Sequence, residues 1–424
     1  MFKKLRRITN RQFWIDCVLA TSFILAMILF GSRIFSAFEV LNPIGEALSD
    51  MDITDIVFSK LRKDPDAHQN DNIVIVNIGK LNREGIAKQL EIIEKNNPKV
   101  IGIDAFFREL QDPHQDSTLS ASLRQIDNLV LVTKLNQYNP ELKIFDTLET
   151  SNPLFLDNAH LGFANLITPA KEQDNFKVCR SFSPVEWTTT GGKQQLFALV
   201  MAELFDPTTV TRFNQRQNTV ELINYGGNIV GANSKNSEFT NKFTVLDWMD
   251  VFEGNFVSDV FEDKIVILGY LGEDLNDTSW EDKLYTPLNM KYAGRTNPDM
   301  YGVVVHANIL SMILNDNFIG SMSEMAGIVV GALLCLVNVI CFSLIYKLLP
   351  RWYDGLTKSI QLIEALILLL VVVMVFNIFS YKLNLTLGII AVLFAGDSLE
   401  VYYGVLKNLF SKEQRRLLFH PLKD

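Results

Sequence analysis

The sequence predicts a membrane protein: an α/β domain, with a mixed sheet built around a βαβ unit, plus four transmembrane α-helices, one N-terminal and three C-terminal. Four apolar stretches reach the roughly 20 helical residues that a hydrocarbon core of about 30 Å requires. Two short runs rich in β-branched residues, NIVIVNIG at 72–79 and VIGIDAFF at 100–107, flank a segment of helical periodicity. The 424 residues carry 39 Lys plus Arg against 48 Asp plus Glu, a net charge of −9. The polar residues are gathered between the apolar stretches, which excludes a single soluble domain. Excess acid excludes a nucleic-acid binder, since phosphate affinity comes from Lys and Arg, and the basic residues here flank the apolar stretches instead.

The first span, residues 13–35, follows a basic start at 1–12. It is too long for a cleaved signal peptide and lacks a small-x-small exit, so it reads as a signal anchor. The other three run from about Met325 to Tyr346, Ile360 to Tyr381 and Leu385 to Leu406, together 325–406. Gly327 and Gly331 give the second span a small-xxx-small face. Lys3, Lys4, Arg6, Arg7 and Arg11 precede the first span; Lys347, Arg351 and Lys358 lie between the second and third; Lys407, Lys412, Arg415 and Arg416 follow the fourth. Lys382 stands alone in the turn between the third and fourth. This bias places both termini, including the tail 407–424, in the cytoplasm and residues 36–323 outside it.

Within the outer region, NIVIVNIG reads as a buried parallel strand. Ile86, Leu90 and Ile93 mark a helix over 82–97 that Pro98 ends, and VIGIDAFF reads as a second strand, closing a right-handed βαβ unit. Leu129 to Thr133 is a third strand and Ser117 to Gln125 a helix. Residues 136–160 are polar and rich in turn formers. Leu161–Leu166 and Val178–Phe182 are expected to pair as antiparallel strands around an exposed link at 169–175. Leu196 to Leu204 reads as a helix, KIVILG at 264–269 as the clearest later strand, and Met300 to Leu314 as a helix leading to the second span.

Few residues stand in patterns that carry chemistry. Cys17, Cys335 and Cys341 lie in apolar stretches, which leaves Cys179 alone outside, and no CxxC pair or spaced histidine motif exists. No metal and no cofactor is expected. There is no GxSxG elbow, and Gly191-Gly192-Lys193 lacks the earlier glycine of a phosphate loop. In GEDLNDTSWED, Asp274, Asn276 and Thr278 alternate, but Ser279 and Tyr285 stand where an EF-hand needs Gly and Glu.

Four ligand candidates remain. Asp104, in an apolar strand, is either a satisfied structural carboxyl or a pocket-lining one. Asp274 and Asp277 follow the KIVILG strand, where α/β sheets place binding loops, although a solvated loop has the same composition. His306, two residues from Asn308, is either a hydrogen-bonded core histidine or a ligand or pH-sensing group. Asp174 and Arg180 read as a paired charge. Inside the spans, Asp16, Glu364, Asp397 and Glu400 lie at similar depth as candidates for coupling between helices. Buried acids there face protein or water, or else reach the headgroups with Lys358, Lys407 or Arg11.

A basic start, one span, an outside domain opening with NIVIVNIG, helix and VIGIDAFF, and three closing spans resemble the CHASE2 sensor family of bacterial receptors. HLGFANL, LINYGG, FEDKIVILG, YTPL and MYGVVVHANIL occur in the family's order. The likeness covers nearly the whole chain. It departs from the family where acidic residues usually follow the first strand, since this chain has Asn77-Ile78-Gly79, and it lacks the tryptophan-proline segment before the first helix. The resemblance implies a multi-pass protein of the bacterial cytoplasmic membrane.

The function expected is a membrane-anchored sensor or scaffold subunit, not an enzyme. Its outer domain binds a ligand or protein, and its spans pass the state to a separate effector protein, because 407–424 is too short to fold as an output domain. The lipid bilayer is a partner in any case, and a homo-oligomer is compatible with the spans. The alternatives are an extracytoplasmic enzyme using Asp104, Asp274 and Asp277, and a transport-complex subunit.

Overall fold

The computed structural model describes residues 9–37, 57–58, 71–166, 178–229, 243–289 and 297–407. The first eight residues, Asp174 with the link around it, and the tail from 408 lie outside the described residues. Two compact units form, one of Met1–Met51 with Gly320–Asp424 and one of Asp52–Ile319. The first unit opens with α1, Arg11–Ala37.

The second unit is built on one nine-stranded sheet. Its strands are β1 (Ile73–Asn77), β2 (Val100–Asp104), β3 (Leu129–Asn139), β4 (Ile144–Glu149) and β5 (His160–Phe163). The remaining four are β6 (Val185–Thr188), β7 (Gly192–Gln195), β8 (Thr244–Leu246) and β9 (Ile265–Gly269). They run in the order β8-β1-β9-β2-β3-β4-β6-β7, with β5 on β3 beside that path. β8, β1, β9, β2, β3 and β5 are parallel, while β3 with β4 and β6 with β7 are antiparallel. Every residue of β1 and β9 is buried, as unbroken apolar runs require of a strand covered on both faces.

Alternation along these strands decides the two faces. Val74, Val76, Ile101, Ile103, Val266 and Leu268 share a core with Ile86, Leu90 and Ile93 of α2 (Arg83–Glu94) and with Leu119 and Leu123 of α3 (Pro113–Leu123). Each such side chain contributes about 1.5–3 kcal/mol by leaving water. Asn82 caps α2 by accepting from Gly85 N–H at 2.9 Å, and Asp112 caps α3, whose first residue is Pro113. The opposite face carries α4 (Phe197–Phe205), followed by α5 (Pro207–Asn214). A Cβ on Gly162 would stand 2.6 Å from Phe197 Cα, and one on Gly102 2.8 Å from Phe197 Cζ, so α4 lies directly on strands emptied of side chains. The short α6 (Trp248–Glu253) packs beside α2, and α7 (Gly302–Leu314) lies on the α4 side, with Val303 seated on Gly269.

Three sequence expectations are corrected. VIGIDAFF leaves the sheet at Asp104, because Phe107 turns inward to Phe155, 5.5 Å between rings, and its N–H is held by Ser151 Oγ at 3.0 Å. Asp104 therefore terminates β2 instead of lying within it. Residues 161–163 do not pair with 181–182. The first pair is parallel to β3 and the second antiparallel to 221–222, since a fully apolar segment gains more from the sheet interior. Finally, the turn-rich stretch 136–160 contains the β3–β4 hairpin, whose alternation is interrupted by polar residues on an open face.

The first unit adds α8 (Glu324–Leu348), α9 (Tyr353–Phe379) and α10 (Thr386–Val401, continued as a π-turn to Leu406). With α1 they are, among the described residues, the four helices long and apolar enough to cross a membrane. Phe13, Cys17, Ala20 and Ile24 of α1 pack with Cys335, Val339 and Phe342 of α8 and with Ala391, Ala395 and Leu399 of α10. Gly327 and Gly331 do form a close face: a Cβ on Gly331 would meet Gly388 N at 3.1 Å. Residues 320–321 pair in parallel with 381–382, joining the start of α8 to the α9–α10 turn.

Candidate functional site

β1, β9 and β2 end level with one another, Asn77 opposite Gly269 and Gly269 opposite Asp104. At this edge Asn77 is fully used. Its Nδ2 donates to Asp247 Oδ1 at 2.9 Å and to the Gly272 carbonyl at 3.1 Å, and its Oδ1 accepts from Gly79 and Leu271 N–H, both at 2.9 Å. An acid at position 77 would supply none of those donors and would stand against Asp247, which accounts physically for an asparagine there. Gly79 adopts φ +49°, and a Cβ on it would meet the Glu273 carbonyl at 2.9 Å, so only glycine fits the turn.

Beyond β9 the acidic loop folds mostly on itself. Asp277 accepts from Glu273 N–H at 2.9 Å and from Ser279 N–H at 2.8 Å, which hold its carboxyl below the usual carboxylate range. Asp274 accepts from Asn276 N–H at 2.7 Å. Both carboxylates shape turns. Lys80 pairs with Glu273 at the same rim.

Further along, Lys283 and Tyr301 are paired across a short antiparallel ladder. The residue before that ladder, Asp282, comes close to Asp104 at the end of β2. Burial, then the neighbouring Asp282, pushes the Asp104 carboxyl up to about 7. Asp282 sits at the solvent side, where partial loss of water and then Glu281 raise it to about 6. Its carbonyl accepts from Gly302 N–H at 3.1 Å, at the start of α7. Tyr270 donates to Glu281 Oε2 at 3.1 Å and stands edge-on to Tyr301, 6.3 Å between rings. Lys283 Nζ lies 4.6 Å from the Tyr301 ring centroid. Tyr301 is 6% exposed, and its hydroxyl has no hydrogen-bond partner. Loss of water, then Asp277, Tyr270, Asp282 and Glu281, raise that phenol.

Sequence reasoning placed Asp104 and Asp277 near this edge but missed Asp282, Tyr270 and Tyr301. Asp282 closes the same acidic run and was legible there; Tyr301 reaches it only through strand pairing. His306 is elsewhere, under the sheet. It is 1% exposed, edge-on to Phe197 at 5.3 Å, and bonded to the Ala164 backbone; burial pushes it down to about 4. Asn308, on the other side of the helix, clamps the LINYGG segment, accepting from Gly226 N–H and donating to the Gly227 carbonyl, each at 3.0 Å. Among the described residues no three His, Cys, Asp or Glu side chains gather to hold a metal.

In the helix bundle, Asp16 pairs with Lys407 and accepts from Gln12 at 3.1 Å, and Asp397 pairs with Lys358. Glu364 accepts from Asn338 of α8 at 2.9 Å. Glu400 is exposed and forms no ion pair among the described residues.

Neither a curated protein nor a solved structure matches the chain. The CHASE2 domain profile matches residues 24–345, about three quarters of its length. A mixed α/β domain set between one membrane helix and three more agrees with that match, and the chain belongs to the CHASE2 domain family of sensory membrane proteins.

Proposed function

We propose that this chain is a membrane-anchored sensor or scaffold subunit, not an enzyme, with residues 36–323 outside the cytoplasm and both termini inside. A ligand or protein binds the edge formed by Asp104, Asp282 and Tyr301, and a separate protein at the inner membrane surface reads the change, with the exposed Glu400 as one contact. The basic residues beside the inner ends of the spans support this orientation.

One observation carries the coupling. The helix α7 starts beside Asp282 at Gly302 and, at 1.5 Å per residue, runs about 20 Å to Leu314. The next residues are fastened to the domain. Asp316 pairs with Arg212 at 2.7 Å, Asn317 accepts from Asn224 at 3.0 Å, and the Ile319 carbonyl accepts from Arg216 at 3.1 Å. Immediately after them, Gly320 and Met322 N–H donate to the Ser380 and Lys382 carbonyls, both at 2.9 Å. The coupling is assigned to this stretch, which runs from the end of α7 to the start of α8. A ligand needs only to bind one packing of the spans better than another.

Membrane-impermeant maleimide tests the orientation. Leu142→Cys, 65% exposed in the native residue, should label in intact cells, whereas Arg351→Cys should label only after permeabilisation. The reverse pattern overturns the proposal.

A further inference from the structure

We propose that the edge around Asp104, Asp282 and Tyr301 binds an organic ammonium ion, the charged end of a small amine, between its carboxylates and the rings of Tyr270 and Tyr301. This rests on the reading that the domain binds its ligand at this edge. The first ground is the Tyr301 hydroxyl, which lies in a residue 6% exposed, has no partner, and faces the field of Asp277, Glu281 and Asp282. A buried phenol in that state has given up water with no exchange, unless a ligand atom supplies the bond.

The second ground is the sign of the charge the surroundings accept. The carboxyls of Asp277, Glu281 and Asp282 act on the Tyr301 hydroxyl, and Lys283, which forms no ion pair among the described residues, rests over the Tyr301 ring at 4.6 Å. An alkylammonium thus already sits on this aromatic face, where cation–π attraction and Asp277 favour its charge although loss of water lowers Lys283 from its ordinary value. A metal ion is disfavoured because no three ligating side chains gather closely there among the described residues, and an anion is disfavoured by the field of Asp277, Glu281 and Asp282. Asp282 is at the solvent side, which leaves the site open.

A bound ammonium favours the charged form of Asp104, so binding releases a proton. With that carboxyl at about 7, affinity should rise about tenfold from pH 6 to pH 8. The test is calorimetric titration of the full chain in lipid nanodiscs with 1,4-diaminobutane, beside magnesium chloride and sodium acetate. The expected result is saturable diamine binding that tightens with pH and weakens at least about tenfold in both Asp282→Asn and Tyr301→Phe. Tyr301→Phe removes one oxygen that bonds to nothing, so its folding is not at stake. No saturable diamine binding up to about 10 mM, equal binding by both variants, or binding of magnesium or acetate instead overturns the ammonium site. The sensor reading is separately lost only if the maleimide pattern is reversed.

Discussion

Gly320 N–H donates to the Ser380 carbonyl at 2.9 Å, tying the residue that follows the sensory domain to the turn between α9 and α10. A Cβ on Gly320 would stand 2.6 Å from the Tyr381 ring, so a larger residue must displace that ring and strain the pairing of 320–321 with 381–382. Gly320→Val should raise hydrogen exchange of the Gly320-position and Met322 amides by about tenfold or more, while the Ile75 and Ile267 amides of the sheet stay as protected as before. Unchanged protection at Met322 would show that the clip does not depend on this contact.

Close approach of α4 to the sheet gives a second prediction. At Gly102 the nearest atoms belong to the side chains of Met201 and Phe197, which can turn aside. At Gly162 they are Phe197 backbone atoms, which cannot. Overpacking costs about 1–3 kcal/mol, so both alanine variants should unfold at lower denaturant, Gly162→Ala the lower of the two. Equal midpoints would mean that the backbone of α4 gives as easily as its side chains.

Asp104 should make stability fall as pH rises. Its folded value of about 7 lies above the ordinary 3.8, so its contribution is complete below the unfolded value and is lost as pH climbs through 7. Asp104→Asn has no such loss. At pH 8 the variant should be more stable than the native chain by about 1–3 kcal/mol, with the gap closing toward pH 4. A gap constant over that range would remove burial as the cause.

His306 works in the opposite direction. Burial lowers it to about 4 from 6.5, so its contribution is complete above the unfolded value and fades as pH falls toward 4. In the Asp104→Asn background, where the carboxyl's slope is absent, unfolding free energy should drop by up to about 3 kcal/mol from pH 6.5 to pH 4. His306→Leu should flatten that decline. A persistent decline in the double variant would assign it to other groups.

Much of this was legible in the sequence. The four spans, β1, α2, β2 and β9 were each carried by a single local pattern, an apolar length or a run of β-branched residues, that no distant contact needed to complete. The β3–β4 hairpin was hidden because its partners 134–139 and 144–149 mix polar with apolar residues. The end of β2 was misjudged by three residues because Phe106 and Phe107 look like strand, whereas Phe107 is drawn to the distant Phe155 ring.

The sequence by itself determined which segments must leave water for lipid and which must be buried in a sheet, because those are sums over neighbouring residues. Tertiary structure alone decided what Asp104 meets. Its neighbour Asp282 lies 178 positions on, and Tyr301 reaches the Asp282 side of that pair by pairing with Lys283. Charge interaction depends on distance in space, and no periodicity along the chain encodes it.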